Sequence, residues 1–263
     1  MARRSPQAIL FVPLSDMRGS IVRRTVKEQI SEKLASHIAS GILQIGDELP
    51  GERELAAAFA VSRESVRSAI QDLASRGLVE VFQGARTRVV SAEGAARPPG
   101  LAAAGAINSY DLRSVHGARL LAERAVVAEA AERIERATLA RLEASLAAQK
   151  QCLEDPVRFL ICDREFHFAI YRCAANSLLS DFVMGLYSYL MEQRRRAMAQ
   201  PGAILRSYKD HIEIMAGLCA RDSASVVAAF DRHLDRIYTT TQAIFDAMGR
   251  HSAAGAGDAT AKG

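Results

Sequence analysis

Leu49-Pro50-Gly51-Glu52-Arg53-Glu54-Leu55, followed by Ser62-Arg63-Glu64-Ser65-Val66-Arg67 and closed by Gly84-Ala85-Arg86-Thr87-Arg88-Val89, decides the fold of the N-terminal third. The first segment predicts a short helix from about Glu52 to Phe59, with Glu52 and Glu54 complementing the positive end of its dipole. Ser62 is placed to cap the next helix, its hydroxyl taking an otherwise orphaned backbone N–H. Val66, Ile70 and Leu73 recur on one face of that helix, and Gly77 ends it. Leu78–Phe82 and Arg86–Val90 read as two short strands around Gln83-Gly84-Ala85. Helix, tight turn, helix and two-strand wing, in that order, predict a winged helix-turn-helix, which lays its second helix in the DNA major groove.

Upstream, Val22, Val26, Ile30, Leu34 and Ile38 form a helical stripe that stops near Gly41, and Gly46-Asp47 marks a turn. Residues 1–20 lack sustained periodicity and carry Arg3, Arg4 and Arg18, so a flexible basic tail is expected there. Downstream, Gly94, Pro98, Pro99, Gly100 and Gly105 among alanines mark a linker. From Ser114 to about Met248 the pattern is helical throughout, with punctuation at Asp155-Pro156, Asn176 and Pro201-Gly202. The predicted class is therefore mainly α: a winged helix-turn-helix over 21–91, a linker over 92–110, an antiparallel bundle of six or seven helices over 111–249, and a disordered tail over 250–263.

Composition narrows the role. No apolar run approaches the roughly 18 residues needed to span a bilayer. Pro13 interrupts the apolar stretch Ala8–Val12, no small-residue cleavage site follows, and a secretory leader is not expected. Cys152, Cys162, Cys173 and Cys219 form no CxxC pair and fall in helical patterns, which fits free buried thiols in a reducing cytoplasm. Residues 1–95 carry 13 Lys/Arg against 11 Asp/Glu, so bulk charge does not argue for DNA; the placement of the arginines does.

Arg63 and Arg67 are four residues apart near the start of the second helix, hence on one face. Arginine's planar fork can engage guanine O6 and N7 together. Ser62, Ser65 and Ser68 add short hydroxyls, and Arg53 lies just inside the preceding helix, where a guanidinium and a helix N-terminus can share one phosphate. Gly84 permits close backbone approach at the wing tip, and Arg86 follows it.

These segments resemble the DNA-binding signature of the GntR family, on Leu49-Pro50-x-Glu52-Arg53-x-Leu55-Ala56, Val61-Ser62-Arg63 with Val66-Arg67, and Gly77-Leu78-Val79. The likeness spans about residues 22–90. It implies contacts to a double-stranded DNA operator from Arg53, Arg63, Arg67 and Gly84. Gly51 stands where the family usually has Ser, and Arg86 where a second Gly is common.

Four polar residues occupy inward positions of the C-terminal helices. Asp163 and His167 lie on the stripe Leu160, Asp163, His167, Ile170, Ala174; His211 lies with Tyr208, Ile212 and Met215; His233 lies with Val226, Phe230, Leu234 and Ile237. A carboxylate and imidazoles left unpartnered in an apolar core cost several kcal/mol. One divalent cation bound by all four removes that cost, and the donor set suits Zn best, with Ni, Mn or Fe as alternatives. Hydrogen-bonded core histidines are the plainer alternative for each residue alone.

The order of these residues also resembles the FCD effector domain of FadR-type GntR regulators, over about residues 110–248. That resemblance implies a metal held by Asp163, His167, His211 and His233, and a ligand carboxylate clamped by Arg119, which pairs with Glu123 one turn on. An exposed i, i+4 ion pair is the alternative reading of Arg119 and Glu123. The whole reading is a homodimeric repressor, released from a palindromic operator when a small carboxylate or sugar acid binds a metal-containing pocket. A metal sensor without organic effector is the second reading. No general base accompanies the cluster, so no catalytic residue and no enzyme activity are assigned.

Overall fold

A computed structural model describes residues 25–59, 61–82, 87–95 and 109–259, with side chains as far as 247. The N-terminal unit holds α1 (Val26–Ala39), α2 (Glu52–Phe59), α3 (Arg63–Ser75), β1 (Val79–Glu80) and β2 (Arg88–Val89). Thr25 opens α1 with a reciprocal capping box to Glu28. Ser62 caps α3, accepting from the Ser65 N–H at 3.1 Å, and Gly77 leaves α3 at φ +70°, a conformation that favours glycine. β1 and β2 pair antiparallel with Val79 opposite Val89, and Glu48 bridges to Arg88 on the outer side of β2. Ile30, Leu34, Ile38, Leu49, Leu55, Val66, Ile70, Leu73 and Val89 close one core. The strands are shorter than the sequence suggests, and Val26 is 46% exposed although it falls on the apolar stripe of α1. Helix packing starts one turn later, at Ile30. Val22, the basic tail and the central linker residues lie outside the described residues.

Seven helices follow: α4 (Leu112–Arg133), α5 (Arg136–Lys150), α6 (Pro156–Tyr171), α7 (Ser177–Leu186), α8 (Met191–Met198), α9 (Ala203–Ala220) and α10 (Ser223–Ala259). Asp111, Asp155 and Asn176 cap α4, α6 and α7 through their side chains, and Pro156 supplies the first residue of α6. α10 runs along α4 and α9, while α5 and α6 form a hairpin beside them. Their apolar faces enclose Val126, Val127, Phe166, Ile170, Tyr171, Ile214 and Phe230. The last helix runs to Ala259. On α9, Ile212 points outward at 44% exposure, and Ile214, Met215 and Leu218 form the inward face instead. The four thiols are free, yet none is fully buried and Cys219 is exposed.

The two units are in contact. Ile42, in the loop after α1, belongs to the core of the helical bundle, and Ile161 of α6 packs against both cores.

Candidate functional site

α6 carries Asp163 and His167 one turn apart, α9 brings His211, and α10 brings His233. All four are at most 2% exposed, and one ligating atom from each lies within 4.8 Å of the others. Each ring is held from behind at Nδ1. His211 Nδ1 faces Gln149 Oε1 at 2.7 Å, and His233 Nδ1 faces the Asp210 carboxylate at 3.2 Å. His167 Nδ1 lies 3.3 Å from the Tyr171 hydroxyl, which donates to Glu123 at 2.5 Å and so accepts from the ring. With the proton on Nδ1, a neutral imidazole carries its lone pair at Nε2. All three Nε2 atoms are buried without a hydrogen-bond partner.

Buried orphans of this kind are rare in native proteins. Here three of them converge on a carboxylate, at 3.3 Å from His211 and 3.9 Å from His167. Burial pushes the His167 and His233 imidazoles below their ordinary range, which keeps them neutral and able to donate a lone pair. Burial alone would raise the Asp163 carboxyl, but the His211, His167 and Arg194 neighbours outweigh it and hold the group well below the usual carboxylate range. A cluster of four acceptors is therefore able to hold one metal ion. Gln149, Asp210 and Tyr171 stand behind the rings at Nδ1, the position from which outer partners orient a metal-bound histidine.

Arg119 is not an exposed helix pair. Arg119 and Glu123 have side-chain exposures of 8% and 1%, with Nε donating to the carboxylate at 2.7 Å. Through Glu123 and Tyr171 this pair reaches His167. One small cleft is lined by Arg119, His116, Tyr189 and Tyr238, and a second by His233, Asp210 and Arg236; Arg194, Ile237 and Thr241 border both. Of the four clustered residues, only His233 lines the second cleft, and none lines the first.

Arg194 is the residue the sequence reading missed. It is 3% exposed, donates to Asp163 Oδ2 at 3.3 Å and to the Tyr187 carbonyl at 3.1 Å, and stacks its guanidinium over the Tyr187 ring. The Tyr187 hydroxyl donates to the same Asp163 oxygen. Within Arg194-Arg195-Arg196, one arginine looks like its neighbours, and only the fold turns one inward. Gln149 and Asp210 gave no better signal, although Asp210 directly precedes His211.

On the other unit, Arg53 and Arg63 are exposed on α2 and α3, and Ser62 and Ser65 bond to each other through their hydroxyls at 2.9 Å. Arg67 is exposed but engaged: Nε and Nη2 meet the two carboxylate oxygens of Glu52 at 3.2 and 3.0 Å. Gly84 and Arg86 lie outside the described residues.

A winged helix-turn-helix joined to an all-helical domain with a buried histidine–aspartate cluster defines a two-domain, DNA-binding regulator. Residues 26–89 match the model of the bacterial regulatory proteins of the gntR family, and residues 115–236 match the FCD domain. The chain is 30% identical over 241 residues to the HTH-type transcriptional repressor NanR of Cronobacter sakazakii, covering 86% of this chain and 89% of that protein. The NanR of Edwardsiella tarda is 30% identical over 235 residues, covering 85% and 88%. Among solved structures, Escherichia coli McbR/YncC shares the fold at a TM-score of 0.51 and 18% identity, over 84% of this chain and 99% of that one. The chain belongs to the GntR family, as a FadR-type member with an FCD domain, and the family is one of transcription regulators rather than enzymes.

Proposed function

We propose that this protein is a homodimeric repressor that leaves a palindromic operator when a small carboxylate or sugar acid enters a metal-containing pocket of the helical domain. One observation carries the reading: three buried imidazole Nε2 atoms without partners face one carboxylate. Asp163, His167, His211 and His233 would hold the ion, zinc first among the candidates, with nickel, manganese or iron suited to the same donors. A bound ion supplies a Lewis-acidic charge that attracts an anionic ligand. Arg119, on the neighbouring cleft, would take a ligand carboxylate. Arg53, Ser62, Arg63, Ser65, Arg67, Gly84 and Arg86 would meet the operator, and the repressor role follows the relatives named NanR.

Dimer formation belongs to this reading because a two-fold symmetric protein mirrors a palindromic operator. No described helix is long and apolar enough to cross a membrane, in keeping with action on DNA in the cytoplasm.

The test is a thermal-shift panel of small mono- and dicarboxylates and sugar acids on metal-loaded and chelated protein, followed by operator gel shifts. A ligand at 100 times its Kd stabilises by about 2.7 kcal/mol. A compound that stabilises only the metal-loaded form and releases operator supports the proposal. If metal alone stabilises and shifts operator binding while no compound acts, the protein is a metal sensor. If metal does not bind, the pocket reading fails.

A further inference from the structure

We infer that α8 is the mechanical link between the histidine–aspartate cluster and the DNA-reading unit, and that Arg195 is its positioning residue; this rests on the cluster being the regulatory site. Adjacent arginines of α8 face different units. Arg194 reaches inward to Asp163 Oδ2 at 3.3 Å. Arg195 reaches the N-terminal unit, where Nη1 and Nη2 meet the Asp47 carboxylate at 2.5 and 3.2 Å and Nη1 also meets the Ile42 carbonyl at 3.0 Å.

Asp47 is well placed to transmit a pull. Its carboxylate takes the Gln44 N–H at 2.7 Å, and its carbonyl takes the Val89 N–H of the wing at 2.9 Å. Two residues on, the Leu49 N–H bonds to the Thr87 carbonyl, and the chain passes through Pro50 into α2. Arg195 therefore grips the loop that sets both the wing and the entry to the helix-turn-helix. Met191, at the start of α8, packs beside Gly41 and joins Ile42 in the bundle core, so apolar contact accompanies the ion pair.

α8 is built to shift as a unit. It has only eight residues, and the residue that opens it, Leu190, is in the left-handed region at φ +49°. Leucine in that region stores strain, which suits a segment with two positions. A cation held by Asp163 would compete with Arg194 for that carboxylate and leave Arg194 to the Tyr187 carbonyl and ring. α8 is then loosened on its inner side, and the two-point hold of Arg195 on Asp47 moves with it. Interfaces with two discrete packings convert such local changes into domain motion.

The experiment uses zinc alone on the full chain. Operator affinity is measured with zinc and with chelator, and zinc affinity with and without operator, for wild type, Arg195→Ala and Arg195→Lys. Linkage requires the two factors to agree. In wild type, zinc and operator should alter each other's affinity at least 5-fold. Arg195→Ala should bring that factor to within 2-fold of unity while zinc affinity without DNA stays within 2-fold of wild type; Arg195→Lys should restore part of it. Asp163→Asn in chelator should shift operator affinity in the wild-type background and not in Arg195→Ala. Zinc binding with full linkage in Arg195→Ala overturns the inference and spares the pocket. Zinc binding to wild type without linkage does the same. Absence of zinc binding to wild type overturns the pocket reading and this inference together.

Discussion

His211 Nε2 lies 3.3 Å from Asp163 Oδ1, and when Gln149 Oε1 accepts a hydrogen bond from Nδ1–H both facing atoms are acceptors. Two acceptors at that distance, both buried, repel unless a cation stands between them. Gln149 therefore matters through the tautomer it imposes. Gln149→Leu removes the partner of Nδ1 and leaves all four cluster residues in place. Zinc affinity should fall about 10- to 100-fold, the usual effect of losing an outer-shell partner. Competition with a chromophoric chelator measures it, and unchanged affinity would remove Gln149 from the orienting set. His211→Ala should go further and substantially reduce bound metal by elemental analysis.

The bidentate pair of Arg67 with Glu52 joins α3 to α2 across the helix-turn-helix. In the proposed DNA contact this pair would aim the guanidinium in advance, at the cost of a partner to be exchanged. Arg67→Ala should weaken specific operator binding by about 1–3 kcal/mol while leaving binding to random DNA nearly unchanged. Gel-shift titrations on both DNAs decide this; equal losses on the two would mark Arg67 as a phosphate contact.

Arg119 and Glu123 form a buried ion pair, and breaking one side strands the other. Arg119→Ala should destabilise the helical domain by about 3–5 kcal/mol in urea unfolding. The double variant Arg119→Leu/Glu123→Leu should recover a large part of that loss, because no unpaired charge remains. A single variant as stable as wild type would show that water reaches Glu123.

His37 is fully buried in α1, with neither ring nitrogen hydrogen-bonded and the Glu165 carboxylate 3.9 Å away. Burial, with the positive Arg164 and Lys33 beside it, pushes the imidazole well below its ordinary value of 6.5. The unfolded chain thus takes up a proton below 6.5 that the folded chain refuses. The stabilising effect is complete above 6.5 and is lost as pH falls below it, by at most about 1.4 kcal/mol per pH unit. His167 and His233 are shifted the same way, so the difference between variant and wild type isolates His37. His37→Leu should flatten the fall in unfolding free energy between pH 7 and pH 5, read by urea titrations at each pH. Parallel curves would contradict it.

The winged helix-turn-helix was legible because its information is local. A cap at Ser62, the apolar spacing of Val66, Ile70 and Leu73, and a left-handed glycine at Gly77 each act within a few residues. Periodicity also turned Asp163, His167, His211 and His233 inward, since a helix has one buried face and these positions share it. That alone determined the class of protein and the acceptor cluster. Tertiary structure decided the rest. Which arginine of Arg194-Arg195-Arg196 enters the core, whether Arg119 and Glu123 are exposed or buried, and that Gln149 and Asp210 stand behind two histidines depend on how α4, α5, α8, α9 and α10 pack around α6. Those contacts join residues far apart in the chain, such as Gln149 with His211 and Asp47 with Arg195. No local pattern encodes such pairs, because their distance is set by the closing of the cores.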